Sequence, residues 1–488
     1  MEQNKKLSFH GKGGMPRYDI PAAPESDRKF CPGIKSVTEA KREVNVLCEA
    51  DVIVVGGGPG GVGAAIAAAR SGARTVLLER YGHLGGMATG GLVNIIPNLS
   101  DVYGKRYIGG ICQELITRLK AQDAAFAPEE ADWGSADETV LKYYKDSNFH
   151  HFFVRKNEEG KDCLLYTAII DPEIAKNEIN RMATEAGVKL LLHSWVTDTV
   201  MEGDEVRGVI FQSKSGRQAV LGKVVIDCTG DGDLLPASGA EADETMDHDM
   251  RISHLCFGFW IGGVEFRDYD KFVSTQPAAY AQLMSDLREN GLYTGFFRGM
   301  LKHQEHVAWL HPHFKAQSQV DVEEMTRMDV AGREKAVRTW EMLRDRAPGF
   351  ERSYIMLTCP QLGTTGGRRL VGEYVLSTED MRRTEPFADT VAIFPNNDRG
   401  EEIYKYHIVY VPFRSLIPAK INGLMVACRA FSSDNLANNY FNLVPHCICL
   451  GQAAGTAAAI AVKKGIQVRD VPYAELKESL LAQDVILP

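Results

Sequence analysis

Several stretches of the chain carry residue types at spacings that chemistry could use. Gly56-Gly57-Gly58-Pro59-Gly60-Gly61 matches GxGxxG at Gly56, Gly58 and Gly61. The first glycine permits a tight turn, the second lets backbone approach a pyrophosphate, and the third lets a helix pack close to a strand. A helix opening after this motif would aim free N–H groups and its positive dipole end at phosphate. Glu79 follows at roughly the ~20-residue spacing at which an acid accepts hydrogen bonds from ribose hydroxyls. Arg368 and Arg369 sit in a glycine-bearing loop, where a paired arginine could clamp a carboxylate. An ion pair to Glu373 or Asp380 is the competing reading of the same pair. His407 and Arg414 flank Val-Tyr-Val-Pro and could face a ligand or face outward. His446, at the start of a helix, is the strongest single candidate for moving a proton. Lys302–His313 holds four of the 13 histidines. His303 and His306 could share a helical face, but no other spacing supports a metal, and none is expected.

The elements that would position these residues follow from hydrophobic pattern. Asp51-Val-Ile-Val-Val55 is a continuous apolar run, as in a strand buried on both faces of a parallel sheet. The alanine-rich run Val62–Arg70 then predicts a helix ended at Ser71-Gly72, and Arg74–Glu79 a second buried strand. Together they form one βαβ unit. Glu173–Ala186 predicts a helix, Lys189–His193 a parallel strand, and Trp195–Asp227 an antiparallel meander split by Gly-Asp and Ser-Gly turns. Val224–Asp227 and Gly423–Cys428 return to buried strands, and Cys447–Lys463 is a long closing helix. Residues 1–49 read as an N-terminal arm. Residues 50–100, 166–244 and 405–488 read as the nucleotide-binding domain, 101–165 as an excursion, and 245–404 as an inserted substrate or cap domain of α+β type.

Which dinucleotide is bound depends on features downstream of the first motif. An acid at the second strand suits FAD and NAD alike. A second glycine-rich loop, Gly82-His-Leu-Gly-Gly-Met-Ala-Thr-Gly-Gly91, is what a cofactor extended across the domain needs. The alanine-rich helix after Pro445 can aim its N-terminus at the flavin N1/C2=O edge, where His446 would lie. On Asp51–Gly91, Val224–Gly239, Thr364–Asp380 and Tyr410–Gly465, the sequence resembles the FAD-dependent oxidoreductases of the FAD_oxidored type. Those are two-dinucleotide-binding-domain flavoproteins related to the fumarate-reductase and aspartate-oxidase flavoproteins. The resemblance implies a glutathione-reductase-like Rossmann fold, a parallel sheet plus antiparallel meander, and redox chemistry at flavin N5. It also implies FAD contacts at Gly56, Gly58, Pro59, Gly60, Gly61, Glu79, Arg80, Gly85, Gly86, Met87, Ala88, Thr89, Val196, Thr229, Gly230, Asp231, Gly451 and Ala454. The chain departs from the family pattern at Ala427-Cys428-Arg429, where a glycine and an acid are usual. His83 raises covalent flavin attachment as a lesser reading.

Composition bounds the rest. Lys+Arg total 55 against 64 Asp+Glu, a net charge of −9, which argues against a phosphate-backbone binder. Ten cysteines without a CxxC do not make a disulfide scaffold or an iron–sulfur run. The polar N-terminus has no apolar signal region, and no run approaches ~18 consecutive apolar residues. A cytoplasmic enzyme without membrane insertion is expected. It would act on a small or medium organic substrate with an unidentified electron donor or acceptor, and a homo-oligomer is open. An NAD(P)-dependent dehydrogenase is the first alternative. The second is a flavoprotein subunit of a larger redox or nucleic-acid-modifying complex.

Overall fold

The computed structural model describes residues 17–23, 36–146, 150–395 and 408–488. At its centre, β1 (Val52–Val55), helix α1 (Pro59–Arg70) and β2 (Thr75–Leu78) form the expected βαβ unit. Helix α2 (Pro172–Glu185) follows, its first turn capped by the Asp171 carboxylate, which accepts from the N–H groups of Glu173 and Ile174. Strands β3 (Lys189–Leu191), β4 (Val224–Asp227) and β5 (Leu424–Val426) complete a parallel sheet in the order β3-β2-β1-β4-β5. Helix α3 (Val444–Lys464) closes the domain.

Alternation explains why these strands are apolar throughout. Val52, Val54, Leu77, Ile226 and Met425 join the core that holds α1 and α3. Their neighbours Ile53, Val55, Val76, Leu78, Val225, Leu424 and Val426 join a separate core under the meander. Successive side chains point to opposite faces, so both faces of the sheet must be covered. Each fully buried Val, Leu or Ile contributes about 1.5–3 kcal/mol. The meander, Trp195–Glu202, Glu205–Ser213 and Gly216–Leu221, is antiparallel as expected.

The outer segments differ from expectation. Asn45–Glu49, expected within the arm over 1–49, is a fourth meander strand parallel to Gly216–Leu221, and Arg17–Asp19 pairs with His313–Lys315. The excursion over 101–165 divides between two cores. Ile111, Cys112 and Leu115 join the α1/α3 core, whereas Leu141, Tyr144 and Phe153 join a second large core. That second core is built on strands His254–Cys256, Phe259–Gly262 and Ala308–Leu310 and helix Val322–Arg346. Its last member in chain order is Leu362, whereas Leu376, Val391 and Phe394 belong to the α1/α3 core. Gly363 and Thr364 still pair with Cys256 and Leu255, so the packing passes from one core to the other between Thr364 and Leu376, ahead of the expected boundary at 404.

α3 is long and apolar enough by composition to cross a membrane, yet its apolar stretch is buried in the fold. Its burial rests on small residues. A Cβ on Gly451 would sit 1.9 Å from the Gly60 carbonyl oxygen, one on Gly455 2.1 Å from that of Ala64, and one on Gly63 2.3 Å from that of Ile448. The two helices meet backbone to backbone. Alanine gains at most ~1 kcal/mol in helix propensity over glycine, less than the clash costs. Gly451→Ala is therefore expected to lower the unfolding free energy by about 1–3 kcal/mol. An unchanged or raised denaturant midpoint would contradict this packing.

Candidate active site

A cavity of about 740 Å³ opens where the nucleotide-binding sheet meets the second core. Its first end is built by the glycine turn. Gly56 takes φ +95°, and a Cβ there would strike the Cys228 carbonyl, so only glycine makes the turn. Gly58 is the N-cap of α1 and offers no side chain to cap it. A Cβ on Gly58 would meet nothing within 4 Å. No protein contact requires a glycine there; the space in front of it is the cavity. The first N–H groups of α1 face that space, which is the arrangement that holds an anion.

Glu79 ends β2 beside this turn. Its carboxylate accepts from Gly57 N at 2.6 Å and Tyr81 N at 2.8 Å, which fixes it at the cavity edge. The second glycine loop docks on the first, with Gly85 N–H donating to Gly57 O at 2.8 Å. Gly86 and Met87 thereby reach the lining, as do Pro59, Gly60, Arg80, Val196, Thr229 and Gly230. The Arg80 guanidinium lies over the rings of Tyr81 and Trp195, 5.0 and 5.4 Å from their centroids. The far end meets the start of α3 at Asn442, Leu443 and Val444.

Other expected cofactor residues stand behind this surface. Gly61 is a packing glycine, its Cβ position 1.8 Å from Gly56 O. Gly85, Ala88 and Thr89 shape the second loop without lining the cavity, and Thr89 donates to Leu84 O at 2.6 Å. Asp231 is taken by Arg429 in an ion pair of 2.7 Å. Gly451 and Ala454 lie deeper in α3, outside the lining, and Gly451 serves the contact with α1.

The expected catalytic residues are not brought together. His446 is fully buried and stacked on Phe394, ring centroids 4.2 Å apart, away from the cavity lining. Burial, with Arg251 nearby, pushes its pKa down to about 3, so it stays neutral. Arg369 is 1% exposed and donates to Asp243 at 2.6 Å, Thr245 O at 2.9 Å and Ser433 O at 3.1 Å. Arg368 binds Asp231 O at 2.9 Å and pairs with Asp233 at 3.4 Å and Glu244 at 3.6 Å. Both arginines are ion-paired, but not to Glu373 or Asp380 as expected: Glu373 pairs with Arg469, and Asp380 accepts from Tyr374. Arg414 pairs with Asp389 at 3.0 Å on a half-exposed surface. His407 lies outside the described residues. His83, the covalent-attachment candidate, is not in the lining either.

The wall contributed by the second core holds groups that sequence reasoning missed. Arg251 is buried at the junction, donating to Asn442 Oδ1 and Asn439 O, and lines the cavity. Asn442 in turn donates to Thr365 O at 2.6 Å. Tyr293, Phe297 and Trp309 form an aromatic face beside His311 and His313. The alternation His311-Pro-His313 was the one signal of a shared face in an extended segment. Arg251 carried no local signal, because its partners lie almost two hundred residues away.

The FAD dependent oxidoreductase family matches residues 51–480. Thiamine thiazole synthase of Methanococcus vannielii is 28% identical over 205 residues, 40% of this chain and 62% of that protein. The Methanococcus maripaludis enzyme of the same name is 25% identical over 192 residues, 38% of this chain and 57% of that one. The chain thus spans about three-fifths of the curated relatives it matches. A geranylgeranyl bacteriochlorophyll reductase-like protein from Thermoplasma acidophilum covers 89% of this chain and 83% of its own, at 12% identity and TM-score 0.42. The p-nitrophenol 4-monooxygenase of Pseudomonas putida covers 89% of this chain and 85% of its own, at 12% identity and TM-score 0.42.

Two outcomes are expected. Gly58→Ala adds a methyl group where no protein atom stands. Apoprotein stability should fall by no more than about 1 kcal/mol, the scale of a lost N-cap preference, while flavin retention through gel filtration weakens about tenfold or more. Equal losses of both would contradict the cradle. His446 has a folded pKa of about 3 against an ordinary 6.5, so the unfolded chain binds more protons between those values. Its contribution is complete above pH 6.5 and is lost as pH falls towards 3. The stability difference between wild type and His446→Leu should therefore shift in the variant's favour by about 1.4 kcal/mol per pH unit on acidification within that window. A pH-independent difference would contradict the neutral, buried assignment.

Proposed function

The chain belongs to the FAD dependent oxidoreductase family, and from that premise we propose that it transfers hydride between FAD and a small or medium organic substrate held against the second core's wall. The observation that carries this reading is that one cavity joins two unlike ends. One end is the uncapped start of α1 with Glu79, and the other is an aromatic wall carrying Arg251. The site fits the cofactor on two counts: the void before Gly58, and the fixed carboxylate at the end of β2. Glu79 would accept from ribose hydroxyls, and the N–H groups at the start of α1 would hold the phosphates. Gly86, Met87, Thr229 and Gly230 would run beside the chain leading to the ring, and Leu443 and Val444 would meet the ring at the start of α3. Bound FAD supplies the two-electron acceptor or donor chemistry.

The protein's own part is to bind, orient and dry the substrate. Tyr293, Phe297 and Trp309 present apolar faces that exclude water and strengthen every charge interaction inside. Arg251 is held by Asn439 and Asn442, so its guanidinium is oriented before a ligand arrives. A preorganised cation on a dry wall favours a substrate bearing a carboxylate or a polarisable carbonyl. The inserted region supplying this wall acts as the substrate domain, and the fold is read as glutathione-reductase-like. The NAD(P)-dependent alternative is not favoured, because the family's cofactor is FAD.

Anaerobic mixing with a panel of hydroxy acids, amino acids, alcohols and amines tests the proposal, as does mixing dithionite-reduced enzyme with enoates. One class should bleach or restore the flavin band, with a primary isotope effect when the transferred hydrogen is deuterium. Arg251→Gln should raise KM for carboxylate-bearing members about tenfold or more, with a smaller change in kcat. An unaltered KM removes Arg251 from substrate binding, and the absence of any isotope effect removes hydride transfer.

A further inference from the structure

Cys256, His311 and His313 meet at the cavity wall, and we propose that they bind one zinc-type divalent metal ion with a coordination position open to the cavity. One sulfur and two ring nitrogens, one from each residue, lie within 4.8 Å of one another, and all three residues are buried. Zinc bonds of about 2.0–2.3 Å at tetrahedral angles place ligand atoms roughly 3.3–3.7 Å apart. Cys256 Sγ and His313 Nδ1 already stand at 3.3 Å. Small side-chain rotations bring in the third ligand.

The fold explains why these residues converge. Cys256 and His313 are direct cross-strand partners in an antiparallel pair. His311 precedes His313 by two residues, and Pro312 holds the residue before it in extended backbone, so both rings project to one side. His311 Nε2 is buried and has no hydrogen-bond partner. A buried ring nitrogen of that kind calls for something to bind it. The other two histidines of the run are occupied: His303 contacts Asp171 at 2.7 Å, and His306 contacts Val264 O at 3.0 Å.

The ligand set selects the ion. One thiolate and two imidazoles suit zinc and its close congeners rather than magnesium or calcium. Three protein ligands with one open position is the pattern of a working zinc site rather than a closed structural one. His311 and His313 line the cavity and Cys256 lies behind them, so the open position faces the ligand space. The thiol proton is lost to solvent on binding, leaving the site a single net positive charge. With Arg251 on the same wall, that charge would polarise a substrate oxygen. This substrate role rests on the proposal above; the binding of metal does not.

The test is cobalt substitution of the flavin-loaded protein after chelator treatment. One equivalent of Co(II) per chain is expected, with intense visible d–d bands of a four-coordinate thiolate site, read to the red of flavin absorption. Cys256→Ser and His311→Ala should each weaken binding by more than about tenfold, the scale already associated with outer-shell changes. His303→Ala should bind one equivalent as before. Retained flavin absorption shows that a variant is folded. If a variant does not retain it, the wild-type bands and stoichiometry decide. Weak six-coordinate bands, no retained cobalt, or cobalt binding indifferent to Cys256→Ser and His311→Ala overturns the site. Flavin bound without cobalt defeats the metal proposal alone, and cobalt bound by a protein that never takes up flavin defeats the flavin reading alone.

Discussion

The backbone contact between α1 and α3 is the constraint on which the rest of the structure depends. Gly63, Gly451 and Gly455 remove the side chains that would hold the helices apart. The helices can then share one core above the parallel sheet. Because they meet so closely, the starts of both reach the same cavity: Gly58 and Pro59 at one place, Leu443 and Val444 at another. The cavity proposed for FAD is thus a by-product of how tightly two apolar helices pack.

The same contact separates two uses of glycine that look alike in sequence. Gly56, Gly60 and Gly61 are glycine because protein backbone fills the position of a Cβ. Gly58 is glycine although no protein atom is there. Packing accounts for the first group; for the second, the proposed FAD does. Charged residues divide in a similar way. Arg369 is buried and paired with Asp243 and the carbonyls of Thr245 and Ser433, because an unpaired guanidinium in the interior is costly. Arg251 is also held, but by groups that leave it on the cavity wall.

Legibility in the sequence tracks distance along the chain. The βαβ unit and Glu79 were readable because strand, turn, helix and strand occupy fewer than thirty residues and each has its own period. The parallel strands Lys189–Leu191, Val224–Asp227 and Leu424–Val426 were readable from their continuous apolar runs. The wall facing them was not. Arg251 meets Asn439 and Asn442, and Cys256 meets His313, only through pairings that no local pattern encodes. The placement of His446 depends on distant packing in the same way. Its place at the start of α3 was right, but the direction of its ring is set by Phe394 from a distant strand. Arg368 and Arg369 showed the correct chemistry for an anion clamp, and the fold spends that chemistry on Asp233 and Asp243.

The central claim is that the void before Gly58, bounded by Glu79, holds FAD. The visible spectrum of the purified protein, taken before and after acid precipitation, addresses it directly. The account predicts oxidised-flavin bands near ~370 and ~450 nm, the signature of a bound redox cofactor, released into the supernatant in a ratio of about one per chain. Flavin retained in the pellet would contradict non-covalent binding and return attention to His83. A protein that stays colourless after incubation with FAD would contradict the claim itself.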